Sequence, residues 1–374
     1  MKLLFAGAAV FLVRASASLY NESSLNHTCV LSEPYLSCSA QATPAKADSC
    51  CVETYGGLLL STQFWDTYTG LESQGQTLPA DTWTLHGLWP DFCNGSYTQY
   101  CDLSRQYDPS PSPNTTNGLP NGTLVQPYTG PNIGTFVERF GKYNLLEYMN
   151  KYWVSQGSPN SDFWGHEFSK HATCFSTFDV PCYGPRYVEH EDTIDYFQTA
   201  ILYYRRLPTW GWLAAAGIRP SNTTTYSLAD MQRALTTGYG ALPYIGCTGP
   251  RFNQTAAGAN STDAGRTVLS ETWYYLHVFG RPQDGVSLPV NASGLPCNLK
   301  PLYSVALAPT PLSVGRGINT VKVTLVDVRD PSALPSIVDK ILDRKGLMHG
   351  NSTPLGVNAA YAFRGEGTIC RSLG

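Results

Sequence analysis

The segment FWGHEFSKHATC, residues 163–174, holds the densest group of side chains that can do acid–base or metal chemistry. These side chains are His166, Glu167, Lys170 and His171. If the segment is helical, at about 100° per residue, all four point into one sector about 140° wide. Such a face suits a metal ion, a proton-transfer site or a binding site for an anion.

A zinc site is the first alternative, because the segment begins like the protease signature H-E-x-x-H, whose histidines lie one helical turn apart. Here His166 and His171 are five residues apart, about 140° around a helix, which turns the imidazoles away from each other. The i+4 position holds Lys170, whose positive charge repels a metal. A solvated helix face is the second alternative, and the apolar neighbours Phe163 and Trp164 disfavour it. We therefore predict no metal and no other cofactor.

Cleavage of RNA is the third alternative, and a second segment, TWTLHGLWPDFC, supports it by adding His86. Metal-free cleavage needs a base for the 2′-hydroxyl, an acid for the leaving 5′-oxygen and positive charge near the phosphate. Two histidines, with an unperturbed pKa of about 6.5, can act as acid and base. A lysine adds a fixed charge, so the two segments together contain the required residue types.

The stretches TLHGLWPD (84–91) and WGHEFSKHATC (164–174) resemble the two active-site segments of the ribonuclease T2 family, which are secreted and vacuolar acid ribonucleases. The resemblance extends over about residues 29–297. It implies an endoribonuclease that cleaves single-stranded RNA through 2′,3′-cyclic phosphates to 3′-phosphate ends.

The same resemblance implies a role for each polar residue of the two stretches. His171 is the general base on the 2′-hydroxyl and His86 the general acid on the leaving oxygen, and the pair can exchange these roles between the two steps. His166 helps to hold the phosphate. Glu167 and Lys170 stabilise or polarise the transition state.

Four further positions match base-binding residues of the family, and they are Trp89, Asp91, Tyr97 and Phe163. Trp89 and Tyr97 would sandwich the base 5′ to the cut, since aromatic stacking tolerates any base. Asp91 would accept a hydrogen bond from an adenine amino group, which implies a tilt toward adenine. Phe163 would contact the second base. Packing in the hydrophobic core is the alternative for Trp89 and Phe163.

The elements that must position these residues follow from the hydrophobic patterns. Helices and strands occur without regular alternation, which predicts an α+β fold with a central antiparallel sheet and several helices, stapled by disulfides. Runs rich in aromatic residues, Leu and Thr predict strands over 57–70, 82–91 and 271–280. Helical spacing predicts helices over 144–155, 192–207 and 227–238, the last with a cap at Ser227.

The sequence divides into three parts. Residues 1–17 contain an apolar run too short for a membrane span and a small-residue cleavage site, and they predict a signal peptide. Residues 18–305 form the predicted catalytic domain, and residues 306–374 a C-terminal extension of unknown role. Within the catalytic domain the Pro-, Asn- and Gly-rich stretch 108–123 predicts a solvated insertion.

The chain has 11 cysteines, and all but Cys370 lie between residues 29 and 297. This even set suits disulfides formed in an oxidising compartment, although spacing alone does not determine their connectivity. The resemblance implies five bridges, namely Cys29–Cys51, Cys38–Cys93, Cys50–Cys182, Cys101–Cys174 and Cys247–Cys297.

The glycosylation sequons agree with export and predict a secreted or vacuolar protein. The acceptor positions are Asn21, Asn26, Asn94, Asn114, Asn121, Asn222, Asn253, Asn260, Asn291 and Asn351. The formal net charge of −3 excludes tight binding of a polyanion over the whole surface. We expect local contact with an RNA substrate, no membrane span and a monomer.

A secreted binding or effector protein without catalysis, built on the same scaffold, is the alternative from another class. Loss of a catalytic histidine would favour it, and His86 and His171 are both present. Because one histidine must be neutral and another protonated, the enzyme hypothesis predicts an acidic pH optimum.

Overall fold

The computed structural model describes residues 29–221, 224–248, 267–292 and 322–324. The strands are β1 Leu58–Phe64, β2 Thr84–Asp91, β3 Thr225–Ser227, β4 Tyr244–Thr248, β5 Thr267–Val278, β6 Ser287–Val290 and β7 Lys322–Thr324. The α-helices are α1 Gly134–Arg139, α2 Tyr143–Tyr152, α3 Asn160–Lys170, α4 Glu191–Tyr204, α5 Thr209–Ala215 and α6 Leu228–Tyr239. None of the helices in these ranges has the length and apolar character needed to cross a membrane. The predicted signal peptide lies outside the described residues.

The described strands form one sheet in the order β2, β1, β5, β7 and β3, with β4 and β6 also paired to β5. All these pairs are antiparallel except β5–β7, which is parallel. Strand β7 comes from the stretch that the sequence assigns to the C-terminal extension. The prediction of an α+β fold with a central antiparallel sheet is therefore confirmed.

Strand β1 lies between β2 and β5 and is buried on both faces. Its run of leucines alternates between two layers of the core, as the pleat of a strand requires. Leu59 packs with Leu85 in the large cluster beneath the helices. Leu58 and Leu60 pack on the other face, in the cluster that contains Trp89. Strand β1, which pairs with the His86 strand β2, is therefore fixed by hydrophobic packing on both of its faces.

Helix α3 packs against strand β2, and helix α4 packs against strands β1 and β2. Trp164 and Phe168 lie one turn apart on α3, and both side chains are buried in the large core cluster. Burying a large apolar side chain stabilises the fold by about 1.5–3 kcal/mol, so this pair holds α3 in register against the sheet. The opposite side of the helix is left for its polar residues.

The other predicted elements are also present. Helices α2, α4 and α6 lie within the three predicted ranges or one residue from them, and β1, β2 and β5 match the three predicted strands. Ser227 caps α6, because its hydroxyl accepts a hydrogen bond from the backbone N–H of Asp230 at 3.1 Å.

Four of the five expected disulfides are formed, namely Cys29–Cys51, Cys38–Cys93, Cys50–Cys182 and Cys101–Cys174. For the fifth, Cys247 is half-buried beside the α5–α6 core, and Cys297 lies outside the described residues. Two of the bridges flank the predicted site, because Cys93 follows β2 and Cys174 follows α3. Each bridge adds about 2–4 kcal/mol in the usual case.

The sequons in the described ranges lie at the surface. Asn94, Asn114, Asn121 and Asn291 are all exposed. The remaining acceptors, Asn21, Asn26, Asn222, Asn253, Asn260 and Asn351, lie outside the described residues.

The Pro-rich stretch 108–123 differs in part from the prediction of a solvated insertion. Its tip is exposed at residues 119–121. Its first residue, Asp108, is only 1% exposed, so the prediction is wrong there. The physical reason is that the carboxylate of Asp108 is hydrogen-bonded to Tyr100 and His166.

Candidate active site

Helix α3 carries three of the four polar residues of its segment and ends immediately before the fourth. Lys170 is the last helical residue, and His171 is the C-cap, with φ −110° and its N–H bonded to the carbonyl of Glu167 at 3.2 Å. A 3₁₀ turn, Ala172–Cys174, follows at once. The four residues therefore do not share one regular helix.

Three of these groups nevertheless lie close to one another. One donor atom each of His166, Glu167 and His171 lie within 4.8 Å of one another, and the ring centroids of the two histidines are 6.3 Å apart. The expectation that a spacing of five residues turns the two imidazoles away from each other is therefore wrong, since a donor atom of each lies within this distance. The remaining argument against a metal is the positive charge of Lys170 on the same turn.

His86 lies at a β-bulge in β2. Thr62 pairs with Gly87 and the next residue of β1, Gln63, pairs with Leu85, so the ladder skips His86. A bulge bends its strand and changes the direction of a side chain. It explains why His86 reaches α3 while its neighbour Leu85 stays in the large core cluster.

Buried hydrogen bonds hold the bulge in shape. The carbonyl of His86 accepts a bond from the indole N–H of Trp153 at 2.8 Å. The hydroxyl of Thr62 bonds to both the N–H and the carbonyl of Gly87, at 3.0 and 3.1 Å. Because buried backbone groups must be paired, these contacts fix the position of the histidine.

Glu167 occupies the centre of the site and is fully buried. Its Oε1 lies 3.4 Å from Nε2 of His86, and its Oε2 accepts a hydrogen bond from the indole N–H of Trp89 at 2.7 Å. Burial raises the pKa of Glu167, but the charges of His86 and His171 outweigh burial, so the pKa lies below its usual value. The carboxylate is therefore held ionised between the two histidines.

Trp89 is only 3% exposed and packs against both predicted catalytic histidines. Its ring stacks on His171 with centroids 4.8 Å apart at 18°. It meets His86 edge to face at 4.7 Å and Trp273 at 5.3 Å. One face of the Trp89 ring is therefore covered by His171.

His166 and Lys170 are held by the loop that packs on α3. Nδ1 of His166 lies 2.8 Å from Oδ2 of Asp108, and the ammonium of Lys170 donates to the carbonyl of Ser112 at 3.1 Å. Burial lowers the pKa of His166, but the neighbouring Asp108 carboxylate outweighs it, so the pKa lies above its usual value. The site thus keeps a second cationic group beside the lysine.

Aromatic rings close the site around His86. Phe64 stacks on the His86 ring with centroids 3.8 Å apart at 19°. Phe163 lies 5.6 Å from the same ring and 6.2 Å from Phe64. Phe64 and Phe163 are both half-buried and lie next to a predicted catalytic group.

The two remaining predicted base-binding residues lie just beyond β2. Asp91 is the last residue of the strand, Tyr97 follows in the next loop, and both are half-buried. The sequon residue Asn94 lies between them and is exposed. The structure thus brings the five predicted catalytic residues together and places Trp89 and Phe163 against the ring of His86.

Three residues of this site were missed by sequence reasoning. Phe64 ends a strand whose register against β2 no local pattern encodes. Asp108 lies in a stretch whose composition is typical of a loop, and Tyr100 carried no motif at all. A signal for Asp108 does exist. An aspartate at the start of a Pro-rich run favours a tight turn in which its carboxylate accepts a hydrogen bond from the N–H two residues later, here that of Ser110.

Comparison with known proteins shows the family of this chain. The sequence model of the Ribonuclease T2 family matches residues 56–275, a range that contains both histidine segments. The chain belongs to the ribonuclease T2 family. Ribonuclease Trv of Hypocrea rufa is 36% identical over 267 residues, which cover 71% of this chain and 92% of that relative. The crystal structure of Actibind, a T2 ribonuclease, has a TM-score of 0.51 and 33% identity, and it covers 69% of this chain and 87% of that chain.

Other T2-family relatives are longer than the matching region. A ribonuclease T2-like protein of Aspergillus fumigatus is 35% identical over 267 residues, 71% of this chain but 53% of the relative. A ribonuclease T2-like protein of Candida albicans is 34% identical over 284 residues, 76% of this chain and 59% of the relative. The chain therefore spans little more than half the length of these two relatives.

Proposed function

We propose that this chain is an endoribonuclease that cleaves single-stranded RNA by metal-free general acid–base catalysis. The observation that carries the proposal is the position of Glu167, an ionised and fully buried carboxylate beside His86 of β2 and His171 after α3. Two histidines with a shared, charged partner can transfer protons on opposite sides of a phosphate. His166 and Lys170 add positive charge where a phosphate would sit.

In the proposed first step His171 takes the proton of the 2′-hydroxyl, and the 2′-oxygen attacks the phosphorus. The bond to the 5′-oxygen breaks while His86 protonates that oxygen, which leaves a 2′,3′-cyclic phosphate. Water then opens the ring with the two histidines in exchanged roles, giving a 3′-phosphate. Glu167 balances the charge of the protonated histidine in both steps, and His166 and Lys170 stabilise the charge on phosphorus oxygens.

Base recognition is proposed to be broad, with a tilt toward adenine through Asp91. Tyr97, Phe64 and Phe163 are the candidates for stacking, since each is an aromatic residue that is only half-buried. Trp89, which is covered by His171, contributes through the histidines.

A secreted or vacuolar location is proposed on two grounds. Four disulfides fit an oxidising compartment, and every sequon among the described residues is exposed. Retention of the intact disulfides in protein recovered from the medium or the vacuole would agree with this assignment.

The proposed function is tested by digestion of the sixteen dinucleoside monophosphates with purified protein, with products separated by chromatography. We expect 2′,3′-cyclic phosphates as the first products and faster cleavage where adenine precedes the cut. Binding of RNA without any product would favour a non-catalytic binding protein instead.

Removal of metal ions is expected to leave the rate of cleavage unchanged. The reason is that the proposed acid, base and charge-stabilising groups are all side chains of the chain itself. The rate is measured before and after dialysis against EDTA, and again after addition of zinc. Strong inhibition by EDTA, reversed by zinc, would show that His166, Glu167 and His171 hold an ion.

Cleavage is expected to follow a bell-shaped pH profile with an acidic optimum, because one histidine acts neutral and another protonated. The lowered pKa of Glu167 keeps its charge on the acid side. The raised pKa of His166 means that its positive charge, and with it phosphate binding, is lost only as pH rises through that value. Measurement of kcat/KM from pH 3 to pH 9 tests this, and full activity at pH 9 would contradict it.

A further inference from the structure

We propose that Asp108, at the start of the Pro-rich stretch 108–123, is a positioning residue that orients the His166 ring toward the phosphate. The proposal rests on the proposed ribonuclease function for its effect on catalysis, but its structural claim stands on contacts alone. By holding Nδ1, Asp108 leaves Nε2 of His166 for the substrate.

The first argument is the buried position of the Asp108 carboxylate. The residue is 1% exposed, and a buried carboxylate is stable only when it is paired and hydrogen-bonded. Oδ2 lies 2.8 Å from Nδ1 of His166 and accepts a bond from the hydroxyl of Tyr100, also at 2.8 Å. Oδ1 accepts a bond from the backbone N–H of Ser110 at 2.8 Å. The only side-chain cation among these partners is the histidine.

The second argument is that the same loop also holds the lysine of the site. The hydroxyl of Tyr100 accepts a hydrogen bond from the N–H of Ser112 at 3.2 Å, and the carbonyl of Ser112 accepts from the Lys170 ammonium at 3.1 Å. The N–H of Tyr100 bonds to the carbonyl of Lys170 at 2.9 Å. The stretch therefore contacts both cationic groups of α3 and fixes their positions relative to each other.

The third argument is the close approach of the loop to the helix. A Cβ at Gly165 would lie 2.7 Å from the carbonyl oxygen of Tyr107, so the chain that leads into Asp108 rests directly on α3 beside His166. The carbonyl of Asp108 accepts a bond from the N–H of Tyr128 at 2.9 Å. The start of the stretch is thus tied down by two contacts, and the carboxylate has little freedom to leave the ring.

The charges around His166 come from several elements. Asp108 faces it from the loop, while Glu167 and Lys170 face it from its own helix, and the ring of His171 lies 6.3 Å away at the helix end. Burial and the charge of Asp108 raise the pKa of Asp162, which lies one turn earlier on the helix. Asp108 is the partner whose charge does most to keep His166 protonated, and burial alone acts in the opposite direction.

The test compares four variants, of which Asp108→Glu is the conservative one, by NMR titration of the His166 ring and by the pH profile of kcat/KM. Asp108→Asn keeps the shape and removes the charge. Tyr100→Phe loosens the loop anchor but keeps the carboxylate. Asp192→Asn is the matched control, because Asp192 is also a buried aspartate bonded to a tyrosine hydroxyl, of Tyr187 at 2.7 Å, and to a cation.

We expect Asp108→Asn to lower the pKa of His166 and to move the alkaline limb of the profile to lower pH. We also expect it to reduce kcat/KM about 10–100-fold, as loss of a carboxylate that orients a metal-bound histidine does elsewhere. Asp108→Glu should restore part of the loss. Tyr100→Phe and Asp192→Asn should leave the pKa of His166 and the shape of the profile unchanged.

Two results would overturn the proposal. The first is an unchanged His166 titration in Asp108→Asn, and the second is a Tyr100→Phe profile that matches that of Asp108→Asn, which would make the aspartate a loop anchor only. If Asp108→Asn does not fold, the tautomer of neutral His166 in the wild-type protein, read by NMR, still tests the proposal. The proposal requires the proton to lie on Nδ1, and a proton on Nε2 would contradict it. The NMR readings need no activity, so failure of the ribonuclease assignment would be seen separately, as wild-type protein that does not cleave RNA.

Discussion

Replacement of either His86 or His171 by alanine is expected to lower kcat/KM for single-stranded RNA by about 10²–10⁴-fold, the usual contribution of a positioned acid or base. Each histidine is proposed to transfer a proton in both steps, so either loss stops the cycle. Both side chains are at least nine-tenths buried around Glu167, so solvent water is poorly placed to replace them. The measurement is the initial rate on a dinucleoside monophosphate at several values of pH.

The matched control for these variants is His277→Ala. His277 is a half-buried histidine of β5 whose Nδ1 lies 2.9 Å from the carbonyl of Ser37, away from the site. It should retain wild-type cleavage. Thermal unfolding of all three variants separates loss of chemistry from loss of fold. Near-normal cleavage by folded His86→Ala or His171→Ala would remove that residue from the mechanism.

Replacement of Gly87 by alanine is expected to lower kcat/KM by about 100-fold or more, although the change lies on a strand and removes no functional group. The added methyl group would lie 1.9 Å from Oε2 of Glu167 and 2.7 Å from Nε1 of Trp89. Glu167 is fully buried, so the carboxylate must move together with the rings around it. Displacement by about 1 Å in an active site can cost this much in rate. Overpacking should also lower the free energy of unfolding by about 1–3 kcal/mol.

Gly211→Ala is the control for the glycine variant. A Cβ at Gly211, in helix α5, meets only Pro208 at 3.8 Å, an ordinary contact, so activity should not change. In the double variant with Glu167→Asp, the shorter side chain relieves the overlap. Stability should then recover in part, while activity stays low because the carboxylate no longer reaches His86. Wild-type rate and stability in Gly87→Ala would mean that Glu167 does not occupy this position.

Stability should depend on pH in the direction that the two opposite pKa shifts require. The lowered pKa of Glu167 contributes stability above its unfolded value, and this is lost as pH falls through the folded pKa. The raised pKa of His166 contributes stability below its unfolded value, and this is lost as pH rises through the folded pKa. The contribution of the site to stability is therefore greatest at a pH above the unfolded pKa of Glu167 and below the unfolded pKa of His166. This acidic range is also the one proposed for activity.

The fold was predictable wherever local pattern and burial agree. The leucine run of β1 and the aromatic run of β5 are buried, so their composition alone predicts strands. The helical spacing in α2 and α4 reports one apolar face packed on a core, and Ser227 caps α6 through a contact three residues away. In each case the deciding interactions lie within a few residues or depend only on which side is apolar.

The site shows where local reasoning ends. The expectation that His166 and His171 turn away from each other failed, because it used only their positions around the helix, whereas the His171 ring packs on Trp89 from another element. The bulge at His86 was not predictable, because a bulge is a property of two paired strands and the partner of β2 is chosen by the whole sheet.

By itself the sequence determined the chemical identity of the site. It supplied two histidine segments, a lysine and a carboxylate of the right types, and their order resembles one family. Only the tertiary structure decided which groups touch. It placed Glu167 beside His86, stacked Trp89 on His171, and brought Asp108 from a loop onto His166. The physical reason is that these contacts join residues 58 to 82 positions apart, and packing and charge pairing across such distances depend on the entire fold.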